Sequence, residues 1–284
     1  MIAVDWGTTS LRAYRLDAKG RVVEQRDAPK GILSVAREEF PQVLEAICTG
    51  WKEMPVLMSG MVGSRQGWME VAYVQCPAGV DNLAANAQQV REGMWIVPGV
   101  SFVDESGVPD VMRGEETQII GAMDEIGGDG LVCLPGTHSK WVRVRDGRIT
   151  GLRTYFTGET FAVLRTHSLL GRMMQEGPAD DRAFSEGVDR SGDEGGLLHH
   201  LFGVRTRALF GELNGAQAPS YLSGLLIGTE LRSMAGAKEV FLVGTAQLAA
   251  GYSRAAGLLG IKTTILDPLA APKGLYRLAQ AVHA

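Results

Sequence analysis

Asp5-Trp6-Gly7-Thr8-Thr9-Ser10, reached through the apolar run Ile2-Ala3-Val4, and Leu134-Pro135-Gly136-Thr137-His138-Ser139, reached through Leu131-Val132-Cys133, are two versions of one segment. Each leads from a strand-like run through a Gly-Thr turn into a second strand-like run, Leu11–Leu16 in the first copy and Trp141–Val144 in the second. A polar turn follows, Asp17-Ala18-Lys19-Gly20 or Asp146-Gly147, and then a basic residue heads a third apolar stretch, Arg21-Val22-Val23 or Arg148-Ile149. Unrelated hairpins often share such turns. Agreement at the Gly-Thr step, at the turn and at the residue after it marks a weak internal repeat.

A Gly-Thr turn between strands exposes backbone N–H groups and short hydroxyls, which together make a concave donor surface suited to phosphate oxygens. Two such turns can hold a triphosphate. The register that sets Gly7 against Gly136 also sets Asp5 against Leu134, so only one copy carries an acid. An acid ending an apolar strand is costly unless paired or solvated, and beside a phosphate turn a hydrated Mg²⁺ is one partner for Asp5. The other is the set of turn amides at Gly7 and Thr8, which an Asx-type cap would engage. A third segment, Val240-Phe241-Leu242-Val243-Gly244-Thr245-Ala246, delivers a glycine from a buried strand to a helix start, where free N–H groups suit a nucleotide. Such joints are common in α/β proteins, and this one gains meaning only beside the two turns.

Around these segments short strand-like runs alternate with helical patterns. A helix is expected over 34–51, a strand at Pro55–Ser59, a strand at Trp95–Val97, a helix over Glu115–Ile126, and the helices Ala246–Leu259 and Gly274–Val282. At 284 residues the chain exceeds one typical domain, and the reading is of two lobes, 1–126 with 266–284 returning to it, and 127–265. Lys and Arg total 28 against 32 Asp and Glu, a formal charge of −4 that gives no reason to expect nucleic acid or a membrane surface as partner. The 3 cysteines, Cys48, Cys76 and Cys133, are odd in number and widely spaced, as reduced core thiols would be. With no export signal and no uncharged apolar run of about 18 residues, a cytoplasmic location is expected.

In order and content the segments resemble the sugar-kinase, Hsp70 and actin superfamily, whose two lobes each begin with a phosphate hairpin and whose second lobe adds an adenosine strand-glycine motif. The combination of Ser59-Gly60-Met61-Val62-Gly63-Ser64-Arg65, Arg113-Gly114-Glu115-Glu116-Thr117-Gln118 and Pro135-Gly136-Thr137-His138-Ser139-Lys140-Trp141 more narrowly resembles the 2-dehydro-3-deoxygalactonokinases. The resemblance covers nearly the whole chain. It implies a two-lobed α/β ribonuclease-H-like (actin-like ATPase) fold with a cleft, and ATP-dependent phosphorylation of 2-dehydro-3-deoxy-D-galactonate on its terminal 6-hydroxyl in galactonate catabolism. ATP and Mg²⁺ are the implied cofactors, the metal held by Asp5 through water, and a homodimer is kept open.

The resemblance also distributes roles. Gly7, Thr8, Thr9, Ser10 and Arg12 from the first hairpin, Gly136, Thr137, His138, Ser139 and Lys140 from the second, and Gly244 and Thr245 are expected at ATP. In related kinases the catalytic acid opens the helix before the second hairpin, the place of Glu115, so Glu115 is the expected base, with Glu116 and Asp110 as the alternatives. Many superfamily members have Asp there, or in the second phosphate motif, where this chain has Leu134. A keto acid offers a carboxylate to a guanidinium, so Arg65 and Arg113 are substrate candidates together with Ser59, Gly60, Met61, Val62, Gly63 and Gly114. Lys140 and Arg12 lie in strand-like runs where each could equally face solvent. His138, with no second ligand at spacing, suits a hydrogen bond in the turn better than a transition metal. His199 and His200 read as packing, and Trp68 either walls the pocket or packs in the core. No role is derived for Phe156-Thr157-Gly158-Glu159-Thr160-Phe161. The rivals are the same reaction on the epimeric 2-keto-3-deoxygluconate or a polyol, a nucleotide-switched scaffold, and a regulator built on the kinase fold.

Overall fold

The structure, a computed structural model, describes residues 1–51, 55–234 and 236–282. They fall into two compact units, one of Met1–Val132, Val142–Arg153 and Leu266–Ala284, the other of Cys133–Trp141 and Thr154–Ile265. The stretches 127–132 and 142–153, read from sequence as part of the second lobe, are thus grouped with the first unit.

The chain begins with β1 (Ile2–Trp6), β2 (Leu11–Leu16), β3 (Val22–Ala28), α1 (Phe40–Ile47), β4 (Val56–Ser59), β5 (Val74–Gln75), α2 (Val80–Ala85), β6 (Gln88–Arg91) and β7 (Met94–Ile96). There follow β8 (Val100–Val103), β9 (Pro109–Met112), α3 (Glu115–Gly121) and α4 (Met123–Ile126). A six-stranded sheet runs in the order β3-β2-β1-β4-β7-β6, and β5-β8-β9 form a small second one. Strand β1 sits inside the larger sheet, antiparallel to β2 and parallel to β4, and all its residues but Asp5 are buried. Burial on both faces is why it reads as an unbroken apolar run rather than an alternating one. Edge strand β3 alternates between half-buried and exposed residues. Trp6, Phe40, Met58 and Ile96 lie in the core under this sheet, with the Trp6 and Phe40 rings 5.0 Å apart. The helix expected over 34–51 is shorter than its pattern. Two 3₁₀ turns at Ile32–Ser34 and Arg37–Glu39 precede α1, because Pro41 can open a helix but has no N–H to continue one from upstream.

The remaining elements are β10 (Gly130–Leu134), β11 (Ser139–Arg145), β12 (Arg148–Tyr155), α5 (Thr157–His167), α6 (Asp181–Arg190), α7 (Gly196–Leu209), α8 (Ala218–Arg232), β13 (Glu239–Leu242), α9 (Ala246–Leu258), β14 (Lys262–Ile265) and α10 (Ala270–Val282). The sheet order is β12-β11-β10-β13-β14, with β13 and β14 parallel. Helix α8 is buried over most of its length, and its Tyr221, Leu222 and Leu225 form a core with Leu170 and Val204. The helix expected over 115–126 is broken at Ala122 into α3 and α4. The cause is α10, which lies so close that a Cβ on Gly121 would overlap the Ala270 carbonyl and one on Gly274 the Thr117 carbonyl. Arg277 Nη1 also donates to the Ile120 carbonyl at 3.0 Å, taking up an acceptor at the end of α3. Cys48, Cys76 and Cys133 are free thiols. Among the described residues no helix is long and apolar enough to cross a membrane.

Candidate functional site

The first Gly-Thr turn joins β1 to β2, closed by a bond from the Gly7 N–H to the Ser10 carbonyl at 2.9 Å. Its tip is held from behind by Gly31: the Ile32 N–H donates to the Gly7 carbonyl at 3.1 Å and the Leu33 N–H to the Thr8 carbonyl at 3.3 Å. A Cβ on Gly31 would overlap the Thr8–Thr9 backbone, so only glycine allows this approach. Thr8 and Thr9 remain exposed at the tip. Across the sheet Asp5 lies opposite Arg12 on one side and Ser59 on the other. Its carboxylate is 3.7 Å from Arg12 Nη1, and Arg12 Nε is 3.5 Å from Asp27. Burial pushes the Asp5 carboxyl above its usual range and the Arg12 charge opposes this.

Beside Asp5 two glycines meet. Gly60 and Gly114 both have positive φ, +92° and +107°, and a Cβ on Gly114 would come within 3.2 Å of the Gly60 Cα. A Cβ on Gly60 would in turn lie 2.7 Å from the Trp6 carbonyl oxygen and 3.5 Å from Asp5 Oδ1. The glycines therefore bring the start of α3 close to the end of β1. At that start both glutamates fold back on the turn. Glu115 accepts from the Arg113 N–H at 3.0 Å and Glu116 from the Gly114 N–H at 2.7 Å. They differ in exposure: Glu115 is half-buried, whereas Glu116 is fully buried, and its Oε1 meets no hydrogen-bond partner among the described residues. Burial first and the neighbouring Glu115 charge second push Glu116 up to about 8. Of the two, Glu115 is the more accessible to a substrate.

The second Gly-Thr turn, between β10 and β11, is backed the same way. Gly158, at the start of α5, lies so close that a Cβ would overlap the Gly136 carbonyl and come within 2.9 Å of the Thr137 Cα. The Glu159 N–H donates to the Thr137 carbonyl at 2.9 Å, and the Glu159 carboxylate reaches His138 Nε2 at 2.6 Å. His138 also lies against the Phe156 ring, 4.4 Å between centroids. Beneath the turn stands Glu230 of α8, buried and surrounded by donors: Trp141 Nε1 at 2.6 Å, the Tyr252 hydroxyl at 2.7 Å and the Thr157 hydroxyl. Tyr252 also bonds the Ser139 hydroxyl at 2.6 Å. Burial raises the Glu230 carboxyl, and the bonds from Thr157, Trp141, Tyr252 and Ser139 pull it back.

A cavity of about 620 Å³ opens within the second unit, a volume in the range of small-ligand sites. Gly136, Thr157 and Gly158 line it from the hairpin side, Ser223 from α8, and Gln247 and Gly251 from α9. Gly244 stands next to the turn, where a Cβ would lie 3.5 Å from the Pro135 carbonyl oxygen. Thr245 is the N-cap residue of α9 in extended conformation. The first unit thus carries a backed turn with a carboxylate near it, and the second unit carries a backed turn reached by a cavity.

A family profile described as 2-keto-3-deoxy-galactonokinase matches residues 5–278. The chain belongs to this family. It is 37% identical over 290 residues to the 2-dehydro-3-deoxygalactonokinase of Escherichia coli (strain K12), covering 99% of this chain and 98% of the relative. A crystal structure from Sinorhizobium meliloti assigned to the same activity superposes with a TM-score of 0.91 at 35% identity, covering 99% of this chain and 98% of the other. The activator of the 2-hydroxyisocaproyl-CoA dehydratase from Clostridium difficile shares the fold at a TM-score of 0.54 and 12% identity, covering 100% and 96%. The fold is accordingly the α/β ribonuclease-H-like, actin-like ATPase fold.

Within this family framework the other expected site residues fall as follows. Ser59 is buried at the end of β4 with its hydroxyl 3.5 Å from that of Thr117. Met61, Val62 and Gly63 form a 3₁₀ turn, of which Val62 and Gly63 are buried. Arg65 is 87% exposed, with Glu70 3.5 Å away. Arg113 turns inward: Nη2 donates to the Val71 carbonyl at 2.7 Å and the guanidinium lies 4.2 Å over the Tyr73 ring. Its Nε and Nη1 are buried without a hydrogen-bond partner among the described residues. Ser139 and Lys140 are buried below the second turn, Lys140 donating to Thr154 at 2.8 Å. Trp68 is partly buried and stacks on Phe40 at 6.2 Å, as a residue packed against the core would, and buried His200 bonds the Glu194 carbonyl at 3.0 Å. Among the described residues no group of three or more His, Cys, Asp and Glu could hold a metal ion. The sequence reading missed Gly31, Gly158 and Glu230. Glu230 had the signal already used for Asp5, an acid inside an apolar run, Leu225-Leu226-Ile227-Gly228-Thr229-Glu230-Leu231.

Proposed function

We propose that the protein is an ATP-dependent 2-dehydro-3-deoxygalactonokinase that transfers the γ-phosphoryl group to the 6-hydroxyl of 2-dehydro-3-deoxy-D-galactonate, a step of galactonate catabolism. The observation that carries the reading is the family match over residues 5–278, joined to the pair of Gly-Thr turns, each backed by a glycine. In this proposal the first unit supplies the chemistry and the second holds the nucleotide. The Gly136–His138 turn takes phosphate oxygens, and the cavity beside it takes the nucleoside, with Gly244 and Thr245 at its approach. Glu115 accepts the proton of the attacking hydroxyl, which sharpens the nucleophile while positioning supplies most of the rate. Arg65 binds the substrate carboxylate from its exposed loop, and the backbone of Gly60–Gly63 meets the rest of the sugar acid.

Asp5 fits a magnesium ion. A single half-buried carboxylate beside a phosphate turn suits a cation that keeps several waters and takes its other ligands from phosphate. When bound, the ion would neutralise phosphate charge. Arg12, 3.7 Å from Asp5, limits how much negative charge the site presents when the ion is away.

The test is ADP release by the purified chain with Mg-ATP across a panel of sugar acids and polyols, followed by location of the new phosphate ester by phosphorus NMR. Phosphorylation of 2-dehydro-3-deoxy-D-galactonate at the terminal hydroxyl, at higher kcat/KM than its gluconate epimer, is the expected result. Preference for the epimer or for a neutral polyol would overturn the substrate, and ADP release with no acceptor would overturn the transferase.

A further inference from the structure

Glu230 lies in the last turns of α8 among buried Leu225, Leu226, Ile227 and Leu231. A carboxylate there is costly unless its lone pairs are satisfied, and an apolar residue would serve packing at least as well. What the acid adds is direction. Oε1 accepts from Trp141, and Oε2 accepts from both Tyr252 and Thr157. Because Tyr252 gives its proton to Glu230, its oxygen is left to accept from Ser139.

Each donor is next to a segment assigned to the nucleotide. Ser139 directly follows the Gly136–His138 turn, and Trp141 lies two residues further along β11. Thr157 directly precedes Gly158, which packs under that turn. Tyr252 stands on α9, the helix that begins after Gly244 and Thr245, and it lines the cavity together with Thr157. One carboxylate thus ties the phosphate turn, the turn's support and the nucleoside helix into a single frame.

We infer that Glu230 is a positioning residue for ATP, setting the second phosphate turn against the helix that walls the nucleoside cavity. The inference rests on the reading that the second unit holds the nucleotide. Glu230 touches no reacting atom. It acts through the turn and through α9, so its loss is felt in nucleotide affinity and not in sugar-acid affinity.

The experiment measures binding without the sugar acid, by calorimetric titration of the full chain with the ATP analogue ADPNP and Mg²⁺, beside a thermal melt and KM for each substrate. Glu230→Gln keeps the shape but turns one acceptor oxygen into a donor that must face Trp141 or the Tyr252 and Thr157 hydroxyls. We expect ADPNP to bind about tenfold more weakly or worse, KM for ATP to rise in step, and KM for the sugar acid to stay within about twofold. Tyr252→Phe removes one donor and keeps the ring, and a smaller loss of about threefold is expected. If Glu230→Gln does not fold, Tyr252→Phe decides by the same comparison. Variants that melt lower yet bind ADPNP as the wild type does would reduce Glu230 to a stability role and overturn the inference, as would equal rises in both KM values. A wild-type chain that binds no ADPNP would overturn the inference together with the functional reading, whereas one that binds ADPNP but phosphorylates no sugar acid would overturn the substrate alone.

Discussion

The first Gly-Thr turn keeps its carboxylate beside the tip, and the second keeps its carboxylate underneath. Asp5 is the penultimate residue of β1, half-buried and 3.7 Å from an arginine, while the matching residue of the repeat is Leu134, buried. The acid of the second region comes instead from a distant helix, as Glu230, fully enclosed by Trp141, Tyr252 and Thr157. Both turns are backed alike, by Gly31 and Gly158, so the scaffold is duplicated and the electrostatics are not. A carboxylate that still sees solvent can meet a hydrated cation, whereas one with its lone pairs filled can only hold neighbours in place. The difference fits the proposed function, with chemistry in the first region and support in the second.

The strongest way to break this contrast is to neutralise the carboxylates of the first region. Glu115→Gln should lower kcat by roughly 10²–10⁴, the usual worth of a general base, with ADPNP affinity little changed. A loss under about tenfold would show that positioning alone carries the transfer. Asp5→Asn keeps the shape and removes the charge, and we expect a loss in kcat of about 10² with an unchanged melt. An active Asp5→Asn enzyme with an unaltered Mg²⁺ requirement would remove Asp5 from the metal.

Gly31→Ala and Gly158→Ala sharpen the comparison by asking whether the two turns depend equally on their backing. Each added methyl meets backbone, which cannot move as a flexible side chain would, so each variant should lose about 1–3 kcal/mol of stability, seen as a lower melting temperature. Gly158→Ala should also raise KM for ATP severalfold. Gly203→Ala on α7, where a Cβ meets open space, is the control and should be neutral or slightly stabilising. Similar melts for all three would mean that the close approaches yield without cost.

The repeat, the fold class and the two Gly-Thr turns were legible because they are local: a strand, a Gly-Thr step and a polar turn stand contiguous in sequence. The family segments around Gly60 and Gly114 were legible too, but not the reason for their glycines. That reason is a contact between Gly60 and Gly114, residues far apart in the chain. Helix α3 looked continuous with α4 because nothing in 115–126 announces the break, whose cause arrives with Gly274 and Arg277 near the other end of the chain. Nothing near Arg113 in the sequence signals that Val71 and Tyr73 receive part of its guanidinium. Local patterns reveal which segments matter, and long-range packing decides which way their side chains face.

A smaller effect is expected at Arg65, whose guanidinium is 87% exposed and whose ion pair with Glu70, at 3.5 Å, is worth little. It is available to a ligand at almost no cost. Arg65→Lys keeps the charge and loses the fork, so KM should rise roughly threefold to tenfold for sugar acids and hardly at all for a neutral polyol analogue. An equal change for both would make Arg65 a structural residue of its loop.

The smallest effect on turnover should come from Glu116, one residue from the proposed base. Its carboxyl stands at about 8 in the folded chain against 4.5 ordinarily, and one oxygen meets no donor among the described residues, so the folded state holds a proton that the unfolded state releases. Between those two values folding takes up a proton. The contribution of this group to stability is therefore fully present below pH about 4.5, is lost as pH rises toward 8, and is gone above it. Gln is neutral at every pH and keeps an oxygen for the Gly114 N–H, so Glu116→Gln should stay within a few-fold of wild-type kcat at pH 7. Its stability should gain on the wild type as pH rises from 5 to 8, by on the order of 2–5 kcal/mol at the upper end. Thermal melts of both proteins across that range test the sign. Parallel curves would mean that Glu116 is ionised in the fold. A Glu116→Gln enzyme as crippled as Glu115→Gln would instead move the base one residue along.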